Sequence, residues 1–289
     1  MKSVFLICAL FLTSLLGYSQ RGETANSTQW WLGLRSGVST TSVNVLNSYS
    51  ILKSEQGGGE KDYTSRLGYF IGVEADFDML GMIEIAFLPG LRQVKYNSTK
   101  DYLWSDSLGA PMYDLNLSHN YDMLFLDLPL ALKFDFVNMA NGGIKIKGKN
   151  KKDIKITSGG GLIAFLQVGA YYNRLLNAST SIEKTVEENG KEVVSNYDQG
   201  VTASYLKNSY GWLFGGGIGY DFQSVRLELD VAYRKSFHNM TNVKTRYSEN
   251  ILLNDYYEVI DDVKFSNLEF AVRVLFPFKF VYSGSFKKA

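Results

Sequence analysis

Two histidines, His119 and His238, and a single cysteine, Cys8, bound the catalytic chemistry open to this 289-residue chain. A hydrolytic centre needs a hydroxyl nucleophile, an imidazole and a carboxylate within reach of one another. Ser118, Ser236, His238, Asp261 and Asp262 supply those residue types, but nothing in their spacing demands that they meet. There is no His-x-x-x-His or Cys pair of the kind that holds zinc. The Gly159-Gly160-Gly161 and Gly215-Gly216-Gly217 runs lack a following Lys-Ser/Thr and so are not phosphate loops. The sequence therefore offers no catalytic, cofactor or metal residue, and no cofactor is expected.

The charged residues carry a stronger pattern. Between Val225 and Tyr233 every odd position is apolar, while Arg226, Glu228 and Asp230 occupy even ones and Arg234 continues the row. A strand with one apolar and one charged face is implied. Glu74, Asp76, Asp127, Lys133, Asp135, Lys155, Glu269 and Arg273 fall on the polar faces of other such segments. Acids and bases nearly balance, so held close together they are expected to pair, because an isolated buried charge is costly.

Eight segments supply these faces: Trp30 to Thr41, Leu67 to Phe77, Met82 to Asn97, Tyr121 to Phe136, Ile154 to Asn173, Tyr210 to Phe222, the Val225 segment, and Phe265 to Phe280. Leu124 to Phe136 alternates strictly, and Leu268, Phe270, Val272, Val274, Phe276 and Phe278 align on one face of the last segment. Most exceed the ~5–6 residues of an ordinary strand and reach the ~9–11 that cross a bilayer at a tilt. Asp78-Met79-Leu80-Gly81 and Gln223-Ser224 make tight connections, whereas Thr41 to Arg66, Ser98 to Asn120, Leu175 to Ser209 and Asn239 to Lys264 are long. Such alternation suits an outer-membrane barrel with short periplasmic turns and long outer loops. In that fold the apolar rows meet lipid and the charged rows fill the lumen, which in a barrel of about eight strands has room for side chains and little else. A soluble lipocalin-like barrel, with the faces reversed, is the rival.

Three details refine the expectation. In the third segment Ile83, Ile85 and Phe87 are odd but Val94 and Tyr96 even, so Pro89-Gly90 is expected to mark a bulge that flips the face. The sixth segment has Gly211, Gly215, Gly217 and Gly219 on its inward row, leaving space for large neighbours or water. Trp30, Trp31, Tyr171, Tyr172, Tyr210, Trp212, Tyr220, Phe222, Phe276, Phe278 and Phe280 cluster at segment ends, as aromatic girdles do.

The N-terminus supplies location. Lys2 precedes an apolar run from Val4 to Leu16, and Gly17-Tyr18-Ser19 puts small residues before Gln20. A secretory signal peptide over residues 1–19, cleaved near Ser19, is expected, with one barrel domain over 20–289. Cys8 lies inside it, leaving the mature chain without a disulfide framework. Net charge of +1 gives no reason to expect nucleic acid. Val137 to Asp153 breaks the turn pattern: it is long and carries Lys145, Lys147, Lys149, Lys151 and Lys152. It is read as a solvated turn or as a contact for anionic headgroups or an acidic periplasmic partner.

Leu126-Asp127-Leu128-Pro129-Leu130-Ala131-Leu132-Lys133-Phe134 resembles a strand motif of the PorT-like outer-membrane β-barrel family, roughly Leu-Glu-Ile-Pro-Leu-Leu-Leu-Lys-Tyr. Gly33 to Gly37 and Gly215 to Gly219 are similar to further elements of that family, while the C-terminal Ser283 to Ala289 departs from a terminal aromatic. The resemblance implies an all-β, eight-stranded antiparallel up-and-down transmembrane barrel of porin-like type in a Gram-negative outer membrane. The founding member is associated with the type IX secretion system, a role that does not travel with a fold motif. The expected function is thus non-enzymatic, structural or exerted through the long outer loops, with outer-membrane lipid and envelope or secretion-complex proteins as partners. An accessory subunit of a secretion or other envelope complex, a narrow small-solute channel and a rim-located enzyme are the alternatives.

Overall fold

The computed structural model describes residues 30–50, 61–79, 83–104, 113–138, 145–146, 154–155, 161–188, 191–222, 224–248, 252 and 258–278. Strands β1 (Trp30–Asn47), β2 (Asp62–Ser65), β3 (Leu67–Asp78), β4 (Ile83–Phe87) and β5 (Gly90–Trp104) come first. They are followed by β6 (Tyr113–Asn138), β7 (Lys145–Ile146), β8 (Ile154–Lys155), β9 (Gly161–Glu188) and β10 (Lys191–Gly200). Strands β11 (Asn208–Asp221), β12 (Arg226–Ser236) and β13 (Asp262–Phe278) complete the chain. No helix among the described residues is long and apolar enough to cross a membrane, which says nothing against crossing by strands.

The sheet closes on itself. β1 pairs with β3, then β4 and β5 pair with both β3 and β6, and the order continues β6–β9–β11–β12–β13. β13 returns to β1 in antiparallel register from Trp30↔Phe278 to Asn47↔Asp262. β4 and β5 are two lengths of one stave, so the ring has eight staves, all antiparallel. Closure leaves no sheet edge in the ring, which is what a strand needs to sit in hydrocarbon without unpaired backbone groups. β2 and β10 add short fringes, and β7–β8 is a separate two-residue ribbon. The tight turns lie at the end where the ring begins and finishes: Met79 N–H donates to Ile83 O at 2.9 Å and Phe222 N–H to Val225 O at 2.9 Å.

Along β6 the environment of the two faces inverts without a break in the strand. From Asp127 to Asp135 the odd residues point inward and are charged or small, while Leu130, Leu132 and Phe134 are exposed on the outside. From Leu115 to Phe125 the odd residues still point inward but are mostly apolar and buried, and the outward row is Asn116, Ser118, Asn120 and Asp122. The first pattern is that of a membrane barrel and the second that of a water-soluble one. The lower ring is therefore a transmembrane β-barrel. The lipocalin-like alternative fails there, because Leu34, Ile71, Phe214, Leu229 and Val272 on five different staves all face out with more than half their surface exposed.

Strand length makes the upper part. β6 has 26 residues and β9 28, more than twice the about 9–11 a bilayer crossing uses. The surplus rises as a cap with its own core, in which Tyr96, Leu117, Tyr121, Met123, Phe125, Ile182, Tyr205, Met240, Val263 and Phe265 pack together. Tyr96 and Tyr121 stack at 4.6 Å between ring centroids, and Tyr96 OH meets Tyr205 OH at 2.6 Å. At the base of the cap, β9 carries an extra residue against β6, between Leu124 and Phe125. Leu176 and Asn177 are consecutive and both exposed, so the inward row of β9 changes from odd to even there.

Four expectations are corrected. The long connections Ser98 to Asn120 and Leu175 to Ser209 are largely strand, because the cap core offers their apolar residues a place to be buried. Pro89-Gly90 does not flip the face: the pairing of β4 and β5 with β6 runs in one register, Phe87↔Leu130 and then Gly90↔Asp127. Glu84, Ala86, Leu88, Arg92, Val94 and Tyr96 all point inward, so it is the surroundings of the even row that change, from charged lumen to apolar cap. Lys155 does not belong to a ring strand. It pairs with Lys145 in the β7–β8 ribbon, and the ring contact of β6 with β9 reaches only Asn138↔Ile163. Trp31 and Tyr171 do not join an outer girdle, since both are buried inside the ring.

Candidate functional site

The inward rows of the membrane ring bring together eleven residues expected there: Glu74, Asp76, Asp127, Lys133, Asp135, Arg226, Glu228, Asp230, Arg234, Glu269 and Arg273 are all buried. Four more come from the same faces and were not singled out by sequence: Arg35, Glu84, Arg92 and Gln167. Each shares the inward parity of its strand, which is the signal that could have found it.

The ion pairs form one connected network. Arg226 Nη1 lies 2.8 Å from Glu84, and Glu84 is 3.5 Å from Lys133 Nζ. Lys133 also reaches Asp76 at 2.7 Å, Glu228 at 3.0 Å and Glu74 at 3.7 Å. Arg273 bridges Glu74 at 2.7 Å and Asp230 at 2.8 Å, and donates to Gln167 Oε1 at 2.8 Å. Arg35 links Asp230 to Glu269 at 3.4 and 3.1 Å. Glu269 then contacts Arg92 and Arg234, which converge on Asp127, Arg234 through two bonds of 2.6 and 2.7 Å. The bidentate arginine geometry and the multiple partners at each charge are what make burial of ions tolerable. Asp135 is buried in the same row but makes none of these ion pairs among the described residues.

Aromatic rings line every cation of the network. Arg226 Cζ sits 4.1 Å from the Trp31 centroid and Arg234 Cζ 4.0 Å from Tyr171. Lys133 and Arg273 share Phe165 at 4.7 and 5.4 Å, and Arg35 and Arg92 share Phe70 at 4.5 and 5.5 Å. A cation over a ring face gains electrostatic attraction that grows as water is excluded. β11 makes this possible by contributing no bulk. A Cβ on Gly217 would come within 2.6 Å of Phe165 Cζ, and one on Gly211 within 2.6 Å of Tyr171 Cζ. The inward glycines thus make space for large neighbours, as their row predicts. A small cavity of about 10 Å³ remains beside Arg35, Phe70 and Asp127, room for about one water.

The remaining aromatics of the expected girdle do face out. Tyr172, Tyr210, Tyr220, Phe222, Phe276 and Phe278 are exposed, in a lower tier near the tight turns and an upper tier at the cap base. Trp30 packs on Phe77 and Trp212 on Tyr233 at 4.7 and 5.6 Å. Phe280 lies outside the described residues.

The hydrolytic residue types stay apart. Ser118 faces outward and donates to Asn97, whereas Ser236 is buried and accepts from Phe265 N–H. His238 stands on the outer wall against Tyr210, 4.6 Å between ring centroids. Asp261 belongs to a cluster in the cap with Lys61, which lies 3.3 Å away and also 2.7 Å from Glu258, and accepts from Tyr63 OH at 2.8 Å. Asp262 accepts from Asn47, Tyr49 and Asn239 and pairs with Arg246. Burial works to raise its carboxyl, but the hydrogen bonds from Asn47, Asn239 and Tyr49 hold it below the usual carboxylate range. His119 is buried in the cap with neither ring nitrogen partnered, and burial lowers its affinity for a proton. Among the described residues no cluster of three or more His, Cys, Asp or Glu could hold a metal ion. Lys145 pairs with Lys155 in the β7–β8 ribbon, while Lys147, Lys149, Lys151, Lys152 and the leader expected over residues 1–19 fall outside the described residues.

No family model matches the chain, and no curated protein does. Solved outer-membrane proteins of similar topology include OprG from Pseudomonas aeruginosa, at 11% identity and TM-score 0.36 over 88% of this chain and 98% of that one. Neisserial surface protein A aligns at 12% identity and TM-score 0.32 over 85% and 96%. Ail of Yersinia pestis, solved with a heparin analogue, aligns at 10% and 0.26 over 86% and 99%. At these scores the likenesses carry no argument; the transmembrane barrel stands on the chain's own closed ring, its apolar exterior and its charged interior.

Proposed function

We propose that this protein is a non-enzymatic, non-conducting barrel of the Gram-negative outer membrane that acts through its cap. One observation carries the proposal: the ion network runs across the lumen, with Lys133, Arg273, Glu74 and Asp76 at most 1% exposed. Such a cross-linked interior supports a plug and opposes a small-solute path. The cap supports an interaction role. Val193, Val194, Val243 and Tyr247 are each at least half exposed on a surface that is otherwise mostly polar, a composition suited to contact with another protein. The PorT-like resemblance over Leu126 to Phe134 is consistent with this reading and leaves the partner open.

Planar-bilayer recording on the refolded chain tests it. The expected result is a heat-modifiable band on gels and no single-channel steps; stepwise conductance would overturn the plug. A second reading, an accessory subunit of a secretion or other envelope complex, draws on the lysine-rich segment at the tight-turn end, read here as periplasmic. Deleting residues 139–160 should then remove an envelope partner on co-purification, and an unchanged set of partners would count against it.

A further inference from the structure

We propose that the outer wall formed by β9, β11 and β12 binds the phosphorylated headgroup of an outer-leaflet lipid. Arg174, Lys207 and Lys235 are exposed on this wall, and none has a carboxylate partner among the described residues. Arg174 is register partner of Asn208, and Lys235 of Trp212. Between them run Tyr172 and Tyr210, opposite one another and exposed. These aromatics form the upper tier, where the apolar band of the ring gives way to the polar exterior of the cap. Cations at that height stand at the level of headgroups, with stems that can lie along the aromatic rings and charges that reach phosphate.

The adjoining wall of β5 and β6 shows that this is not a general property of the rim. There Lys95 is held 3.4 Å from Asp122. An unneutralised set of three cations beside lipid-facing aromatics is complementary to an anionic lipid, which brings its acyl chains to the apolar band and its phosphates to the cations. The site rests on the cap-outward orientation proposed above.

Native mass spectrometry of the detergent-released full chain provides the test, with bisphosphorylated lipid A and its dephosphorylated form as probes. Wild type is expected to retain the phosphorylated lipid and release the other. The R174Q/K207Q/K235Q variant is expected to lose retention on the order of 100-fold, from about 1 kcal/mol per basic side chain at a membrane surface. Equal retention of both lipids by wild type, or unchanged retention by the variant, overturns the proposal. If the variant loses its heat-modifiable band, the wild-type comparison decides alone. Orientation has a separate readout: K244C, placed in the cap of a chain whose one other cysteine, Cys8, lies in the expected leader and is replaced by serine for the test, should react with an impermeant maleimide on intact cells. An unlabelled cysteine with binding intact in micelles overturns the orientation and the outer leaflet as source, not the affinity.

Discussion

The lower and upper halves of β6 share one strand, one pleat and one inward row, yet bury opposite chemistry. Lys133 and Asp127 face the lumen below; Leu117, Tyr121 and Met123 face the cap core above. The difference lies in the solvent outside. Where hydrocarbon surrounds the ring, apolar residues are satisfied on the exterior and the interior is left to polar groups that satisfy one another. Where water surrounds the cap, the hydrophobic effect drives the apolar row inward. The backbone needs no break for the exchange, only the bulge at Leu176–Asn177 that resets β9 against β6.

The largest test of this contrast lies in the lumen. K133M would leave Glu74, Asp76, Glu84 and Glu228 without their shared cation and should destabilise the barrel by about 3–5 kcal/mol. Urea unfolding in detergent, followed by the heat-modifiable band, measures it, and adding E228Q should recover part of the loss. Next comes the outer face of β6 itself. L130R, in the lipid-facing band, should cost about 2–4 kcal/mol on folding into bilayers. S118R, on the same outward row in the cap, should stay within about 0.5 kcal/mol. Equal costs would mean that no membrane boundary lies between them.

The smallest effect concerns pH. Burial depresses the proton affinity of His119, with Lys61 adding to the depression and Glu258 opposing it. The unfolded chain therefore binds more protons than the folded one once pH falls below the ordinary histidine value of about 6.5. Stability contributed by the neutral ring is present above that pH and is lost as pH falls further. Protection factors of cap amides, normalised to the intrinsic exchange rate at each pH, should be lower at pH 5.5 than at 7.5 by about 1 kcal/mol in opening free energy, and H119Q should flatten the difference.

Much of the lumen was legible because its signal is local. Arg226, Glu228, Asp230 and Arg234 declare their shared face through a period of two, and Glu74, Asp76, Glu269 and Arg273 do the same. Arg35 and Arg92 were less visible, since a single charge among small or mixed residues does not mark a face by itself. Trp31 and Tyr171 were misplaced because an aromatic at a strand end reads the same whether it faces headgroups or lies under an arginine; only its parity tells. Val94 and Tyr96 misled for the converse reason, as apolar residues assumed to face lipid where the lipid had already ended.

Alternation, strand length and turn spacing determined that eight staves would form a barrel with one charged row and one apolar row, because those features depend only on neighbours along the chain. Which charges pair, which rings lie beneath them and where the two faces exchange solvents were decided by closure of the ring. Arg273 meets Glu74 across 199 positions of sequence, and no local pattern encodes a contact of that separation.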